Sequence, residues 1–176
     1  SNDDEDTRYA LAEVLQQEAV SLWHEDSDLQ GVECVVLPGG FSYGDYLRCG
    51  AMARLSPVME QVIAFARRGG LVLGICNGFQ VLCESGLLPG ALVRNQSRRF
   101  ICAPATLRVE EVDTPFTCRY LREETISIPI KHGEGCYVAD DETLTQLQRN
   151  RQILLRYADA EGVVSAAANP NGSLDN

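Results

Sequence analysis

Leu71-Val72-Leu73-Gly74-Ile75-Cys76-Asn77-Gly78-Phe79-Gln80-Val81-Leu82 carries the fold. An apolar run of strand type ends in Gly-Ile-Cys-Asn-Gly and resumes with helical spacing at Phe79, Leu82 and Cys83. This is the nucleophile-elbow pattern G-x-S-x-G with cysteine in the serine position. A nucleophile on so tight a strand-to-helix turn takes a strained backbone, so the residues two before and two after it must be small. Gly74 and Gly78 meet that need. The turn also puts the Cys76 sulfur at a helix N-terminus, where open N–H groups favour an anion. The Asn77 N–H would then face the oxyanion of an acyl-transfer intermediate.

Composition frames this motif. A chain of 176 residues with 45% apolar and 23% charged residues suits one globular domain with a real core. The sequence holds no apolar run long enough for a membrane span, and its acidic start, Ser1-Asn2-Asp3-Asp4-Glu5-Asp6, is not that of a signal or transit peptide. A net charge of −10 argues against nucleic acid as a partner. Seven scattered cysteines without CxxC spacing support neither zinc nor a disulfide framework. They suggest a reducing cytoplasm and mostly buried, inert thiols, Cys76 excepted.

Outward from the elbow, the pattern alternates strand and helix. A helix is expected from Asp3 to about Glu18, with Leu11, Val14 and Leu15 on one face and Ser1 or Asn2 as cap. Ala19 to Trp23 reads as a strand, and Cys34 to Leu37 as a strand buried on both faces that stops at Pro38-Gly39-Gly40. Val58, Val62, Phe65 and Ala66 mark a helix ended by Gly69-Gly70. Ala105 to Val112 and Thr125 to Ile130 look like an antiparallel excursion on the main sheet. Leu144 and Leu147 suggest a short helix, Ile153 to Tyr157 a strand, and Ala168 to Ser173 turns. The sum is a three-layer α/β fold with ligands at the carboxyl ends of the strands.

Gly74 to Gln80, preceded by the Pro38-Gly39-Gly40 turn, resembles the class I (triad) glutamine amidotransferases. Four further strings narrow this to the glutaminase subunits serving phosphoribosylformylglycinamidine synthase. They are Pro38 to Arg48, Arg94-Asn95-Gln96-Ser97, Lys131-His132-Gly133-Glu134-Gly135 and Ala168 to Ser173. The resemblance implies a flavodoxin-like fold, a mainly parallel sheet with a small antiparallel excursion, in one domain spanning 1–176. It implies attack of Cys76 on the glutamine amide, a glutamyl thioester, and ammonia passed to a synthetase subunit that makes formylglycinamidine ribonucleotide in purine biosynthesis. Gly40 and Asn77 would bind the oxyanion and Gln80 would contact glutamine. No cofactor or metal is expected in this chain, ATP and magnesium belonging to the synthetase. A small accessory subunit is a further expected partner.

The chain departs from that pattern in two respects. The family completes its triad with a Pro-His-Pro-Glu string, absent from residues 1–176, and opens with a strand before Ser1. The resemblance therefore implies a chain trimmed at both ends, with exposed strand edges and little activity as written. His132-Gly133-Glu134 mimics the spacing of the missing pair but is read as a structural or interface loop, and His24 as a structural histidine. Two rival functions stay open: a non-catalytic docking subunit, and an elbow-cysteine hydrolase of the DJ-1/PfpI group.

Overall fold

A computed structural model describes all of residues 1–176. They divide into two compact units, Ser1–Pro89 and Gly90–Asn176.

In the first unit the short strands β1 (Cys34–Leu37) and β2 (Leu71–Gly74) pair in parallel, Cys34 opposite Leu71 and Leu37 opposite Gly74. Helix α1 (Asp4–Tyr9) opens the unit and continues as a wider helical turn, Ala10–Val14. Helix α2 (Pro57–Arg67) has Pro57 in its first turn, where the missing N–H costs nothing, and ends before Gly69 and Gly70 as the sequence indicates. Helix α3 (Asn77–Glu84) follows the elbow. Val35, Met59, Val62 and Val81 form the core, with Leu37, Phe65, Val72 and Leu87 against it. Each such burial contributes roughly 1.5–3 kcal/mol.

In the second unit β3 (Ala91–Val93) pairs antiparallel with β6 (Cys136–Val138). A separate sheet runs β5 (Thr125–His132), β4 (Ile101–Val109), β7 (Leu155–Tyr157), both pairings antiparallel. Ala105, Leu107 and Val109 are buried at every second position, the strand period that sends alternate side chains to one face. Helix α4 (Asp141–Arg149) starts at Asp140, whose carboxylate accepts the Thr143 N–H at 2.7 Å. The short helix around Leu144 and Leu147 and the strand ending at Tyr157 stand where the sequence indicates.

Other expectations need correction. Ala19 to Trp23 is not a strand: it has no ladder partner, and Val20 and Trp23 are exposed. β propensity alone does not make a strand without a neighbour. The first helix stops at Val14, and Val14 and Leu15 face solvent instead of a core. Ser1 and Asn2 do not cap it; Asp3 stands at the cap position, and its side chain makes no cap hydrogen bond to the helix. Cys34 is exposed, so β1 is buried on one face only. All seven cysteines are unbridged, but only Cys83 and Cys136 are buried, whereas Cys34, Cys76, Cys102 and Cys118 are exposed. Burial pushes the Cys83 thiol up to about 11. No helix is long and apolar enough to cross a membrane.

Candidate active site

The elbow is built as the sequence requires. β2 ends at Gly74, Ile75 N–H donates to the Leu37 carbonyl at 2.9 Å, and the chain reverses at Cys76 with φ 51° and ψ −108°. That conformation is uncommon for any residue with a Cβ and is held here by its surroundings. The Cys76 carbonyl accepts the N–H groups of Phe79 at 3.0 Å and Gln80 at 3.2 Å, so the strained residue also starts α3. The glycine spacing has a direct cause. A Cβ on Gly78 would overlap the Leu37 carbonyl oxygen and stand 2.7 Å from its carbon, and one on Gly74 would stand 2.7 Å from the Gly78 carbonyl. The β1 end, the β2 end and the first turn of α3 meet there backbone to backbone. Cys76 is exposed at the apex.

Next to it lies the turn after β1. A Cβ built on Gly39 would be 3.4 Å from the Cys76 Cβ and 3.7 Å from the Ile75 carbonyl oxygen, an ordinary contact. Gly40 follows with φ 96°, in the left-handed region that favours glycine. Its N–H and that of Asn77 take no partner within the chain. Two open donors thus belong to the two segments that touch the nucleophile.

Asn77 is fully buried, and its Nδ2 donates to Gln80 Oε1 at 2.9 Å. Gln80 is buried as well, not a solvated helix residue, and its carbonyl is oriented by that bond. Sequence reasoning missed two supports. Arg48 closes the turn onto α3 through a bidentate pair with Glu84, Nε to Oε1 at 2.5 Å and Nη2 to Oε2 at 2.9 Å. Ser1, Asn2 and Asp3 bind the Gly39–Phe41 turn: Asp3 N–H reaches the Gly39 carbonyl at 3.1 Å, and Asn2 Oδ1 accepts Phe41 N–H at 2.7 Å. Their helix-cap composition disguised this. A cleft of about 490 Å³ in the same unit, lined by His24, Tyr43, Met52 and Ser56 among others, does not include Cys76. His24 packs against Trp23 with the rings tilted by 51° and meets Tyr43 edge-on.

In the second unit the remaining strings converge on two buried asparagines. Asn95 donates through Nδ2 to the carbonyls of Arg99 at 2.8 Å and His132 at 3.0 Å. Its Oδ1 accepts from Gly135 N–H and lies 3.0 Å from His132 Nδ1. That acceptor puts the imidazole proton on Nδ1 and leaves Nε2, which is buried without a partner, as a bare lone pair. Burial lowers the His132 pKa accordingly. Asn171 donates to the Gly135 carbonyl at 2.8 Å and Tyr157 Oη at 3.2 Å. Asn95 therefore orients the imidazole, while Glu134 pairs with Arg94 at 3.7 Å. Within the His132-Gly133-Glu134 string, the two side chains thus turn to different partners.

A model of the CobB/CobQ-like glutamine amidotransferase domain matches residues 4–176. The chain is 56% identical over 174 residues to the phosphoribosylformylglycinamidine synthase subunit PurQ of Salinibacter ruber, covering 99% of this chain and 74% of that protein. It is 57% identical over 176 residues to the subunit of the same name from Moorella thermoacetica, covering 100% and 75%. Among solved structures it is similar to a chain in the structure of PurLQS from Thermotoga maritima. There the TM-score is 0.83 and the identity 42%, over 98% of this chain and 73% of that one. The chain thus spans about three quarters of the length of these relatives. With the elbow cysteine in place and a match running from Asp4 to Asn176, this chain belongs to the CobB/CobQ-like glutamine amidotransferase domain family.

Proposed function

We propose that this chain is the glutaminase component of a phosphoribosylformylglycinamidine synthase, with Cys76 as its nucleophile. The Cys76 sulfur adds to the carboxamide carbon of glutamine, and the carbonyl oxygen takes the negative charge. The Gly40 and Asn77 N–H groups receive that oxyanion in a site whose donors need no reorganisation. Collapse breaks the C–N bond, and ammonia leaves with a proton. Water then cleaves the thioester, giving glutamate and restoring the thiol. Neither histidine of residues 1–176 is assigned as the base. Gln80, one helical turn after Cys76, forms the floor of the glutamine site. Its burial and its bond to Asn77 support a fixed side chain at that position. Ammonia passes to a synthetase subunit that supplies ATP chemistry, with a small accessory subunit completing the complex.

The observation that carries this reading is the exposed, strained Cys76 at the junction of β2 and α3, against a glycine turn and beside two open N–H donors. A structural cysteine has no need of such a backbone. The test is labelling by a glutamine-like chloroketone, mapped by peptide mass spectrometry because three other thiols are also exposed. Stoichiometric modification of Cys76 that glutamine blocks is the expected result. No modification supports a docking subunit; modification indifferent to glutamine supports a hydrolase of another specificity.

A further inference from the structure

We infer that Asn2 is a positioning residue for the oxyanion site, setting which amide of the Gly39–Phe41 turn faces the reacting carbonyl. The inference rests on the glutaminase reading above. Gly40 sits between two consecutive peptide groups, and a turn containing Gly39 and Gly40 has unusual freedom to rotate them. Either the Gly40 or the Phe41 N–H could point at the nucleophile. Three successive residues remove that choice. Ser1 Oγ and the Asp3 N–H, at 3.1 Å, both donate to the Gly39 carbonyl, and Asn2 Oδ1 accepts the Phe41 N–H at 2.7 Å. The Phe41 donor is thereby consumed, and the Gly40 N–H is left as the open one.

The same segment explains the glycine at position 40. A Cβ there would overlap Asn2 Oδ1 and stand 2.9 Å from Asp3 Oδ1, so a side chain is excluded by Asn2 and Asp3. On its other side the turn abuts Cys76 through Gly39. The turn is held between the nucleophile and the N-terminal segment. Ser1 Oγ also lies 3.1 Å from Asn77 Oδ1, so the one segment touches the residues carrying both open donors. Such fixing matters because a donor contributes fully only where it already points at the developing charge.

The test compares two reagents on Cys76 of the intact protein with its synthetase partner. A glutamine-like chloroketone reacts through addition: the S–C bond forms at the carbonyl carbon, an oxyanion develops, and chloride leaves as sulfur shifts to the methylene and the carbonyl re-forms. Iodoacetamide reacts by direct displacement of iodide at its methylene and develops no oxyanion. The ratio of the two rates at Cys76 therefore reads the oxyanion donors separately from the exposure of the thiol. Asn2→Ala is expected to lower this ratio about 10-fold, less than the roughly 10²–10³ for outright loss of a donor. A ratio within about twofold of the unsubstituted protein overturns the inference. Should Asn2→Ala fail to fold, Asn2→Leu removes the acceptor for the Phe41 N–H while keeping a side chain of similar size. It too is expected to lower the ratio, and an unchanged ratio there overturns the inference equally. Failure of the underlying glutaminase reading is distinct, because the unsubstituted protein would then show no glutamine-protected labelling.

Discussion

Substituting Gly78 by alanine sets two physical effects against each other. Gly78 is in the first turn of α3, where replacing glycine with alanine should by helix propensity alone stabilise the protein by about 1 kcal/mol. The structure demands the opposite. The new methyl would overlap the Leu37 carbonyl oxygen and lie 2.7 Å from its carbon and 2.8 Å from its Cβ. Carbon atoms rest at about 3.5–4.0 Å, so β1 and α3 must separate by about 1 Å at this point. Overpacking typically costs about 1–3 kcal/mol, and an overlap with backbone instead of a flexible side chain belongs at or above the top of that range. The net expectation is a loss of about 2 kcal/mol or more. At about 2–4 °C per kcal/mol for a chain of this size, Tm falls by at least about 4 °C. Because the shift displaces the turn that carries Cys76, chloroketone labelling should slow about 10²-fold. Gly86→Ala is the control: it has a φ of 70° and open space around it, so only backbone strain of about 1–2 kcal/mol is expected, with labelling unchanged. Thermal melts and timed labelling of both variants decide the matter. A Gly78→Ala protein as stable as the unsubstituted one, or more stable, refutes the backbone contact on which the elbow geometry depends.

Arg48→Lys should lower stability by about 1 kcal/mol, since an ammonium cannot reproduce the bidentate pair with Glu84. The arginine side chain is 56% exposed, so this difference should shrink in 1 M salt; a denaturation midpoint that ignores both the substitution and the salt speaks against the strap. His132 is half-buried with its pKa lowered by desolvation, so the unfolded chain takes up the proton first. Stability should be complete above about pH 6.5 and decline as pH falls below it, and His132→Gln should flatten urea midpoints between about pH 5.5 and 7. An unchanged slope in that variant refutes the assignment. The Asp175 carboxylate is held low first by its hydrogen bond from Arg156, and that of Asp140 by the Thr143 contacts. Both stabilise above the ordinary aspartate range and lose that contribution as pH falls through it, so Asp140→Ala should reduce the helix signal of α4 at pH 7 but not at about pH 2.5.

The strings that carried the resemblance divide by physical role once their partners are known. Pro38 to Asp45 begins with the turn against Cys76, whereas Asn95 and His132 bond each other and Asn95 and Asn171 bond the carbonyls around them. A buried asparagine with four hydrogen-bonding positions can fix several loops at once, and replacing it strands each of its partners. Distinctive residues in a sequence therefore need not be residues that touch substrate.

The elbow could be read from the chain alone because its cause is local. The strand, the turn, the nucleophile and the first helical turn are contiguous, and steric exclusion at two glycines leaves a spacing of fixed length. The same holds for α2 and α4, whose caps and apolar periodicity lie within one helix, and for the antiparallel β4–β5 pair joined by nearby residues. Ala19 to Trp23 had strand composition but no partner to complete its hydrogen bonds, and no property of those residues announces that lack. Nor does composition reveal that Asn2 spends its carboxamide on Phe41, or that Asn95 and not Glu134 holds the His132 imidazole. Sequence specified which atoms were capable of chemistry, since that is intrinsic to each residue. Tertiary structure decided which of those atoms were already engaged, since a hydrogen bond belongs to whatever the folded backbone brings within about 3 Å.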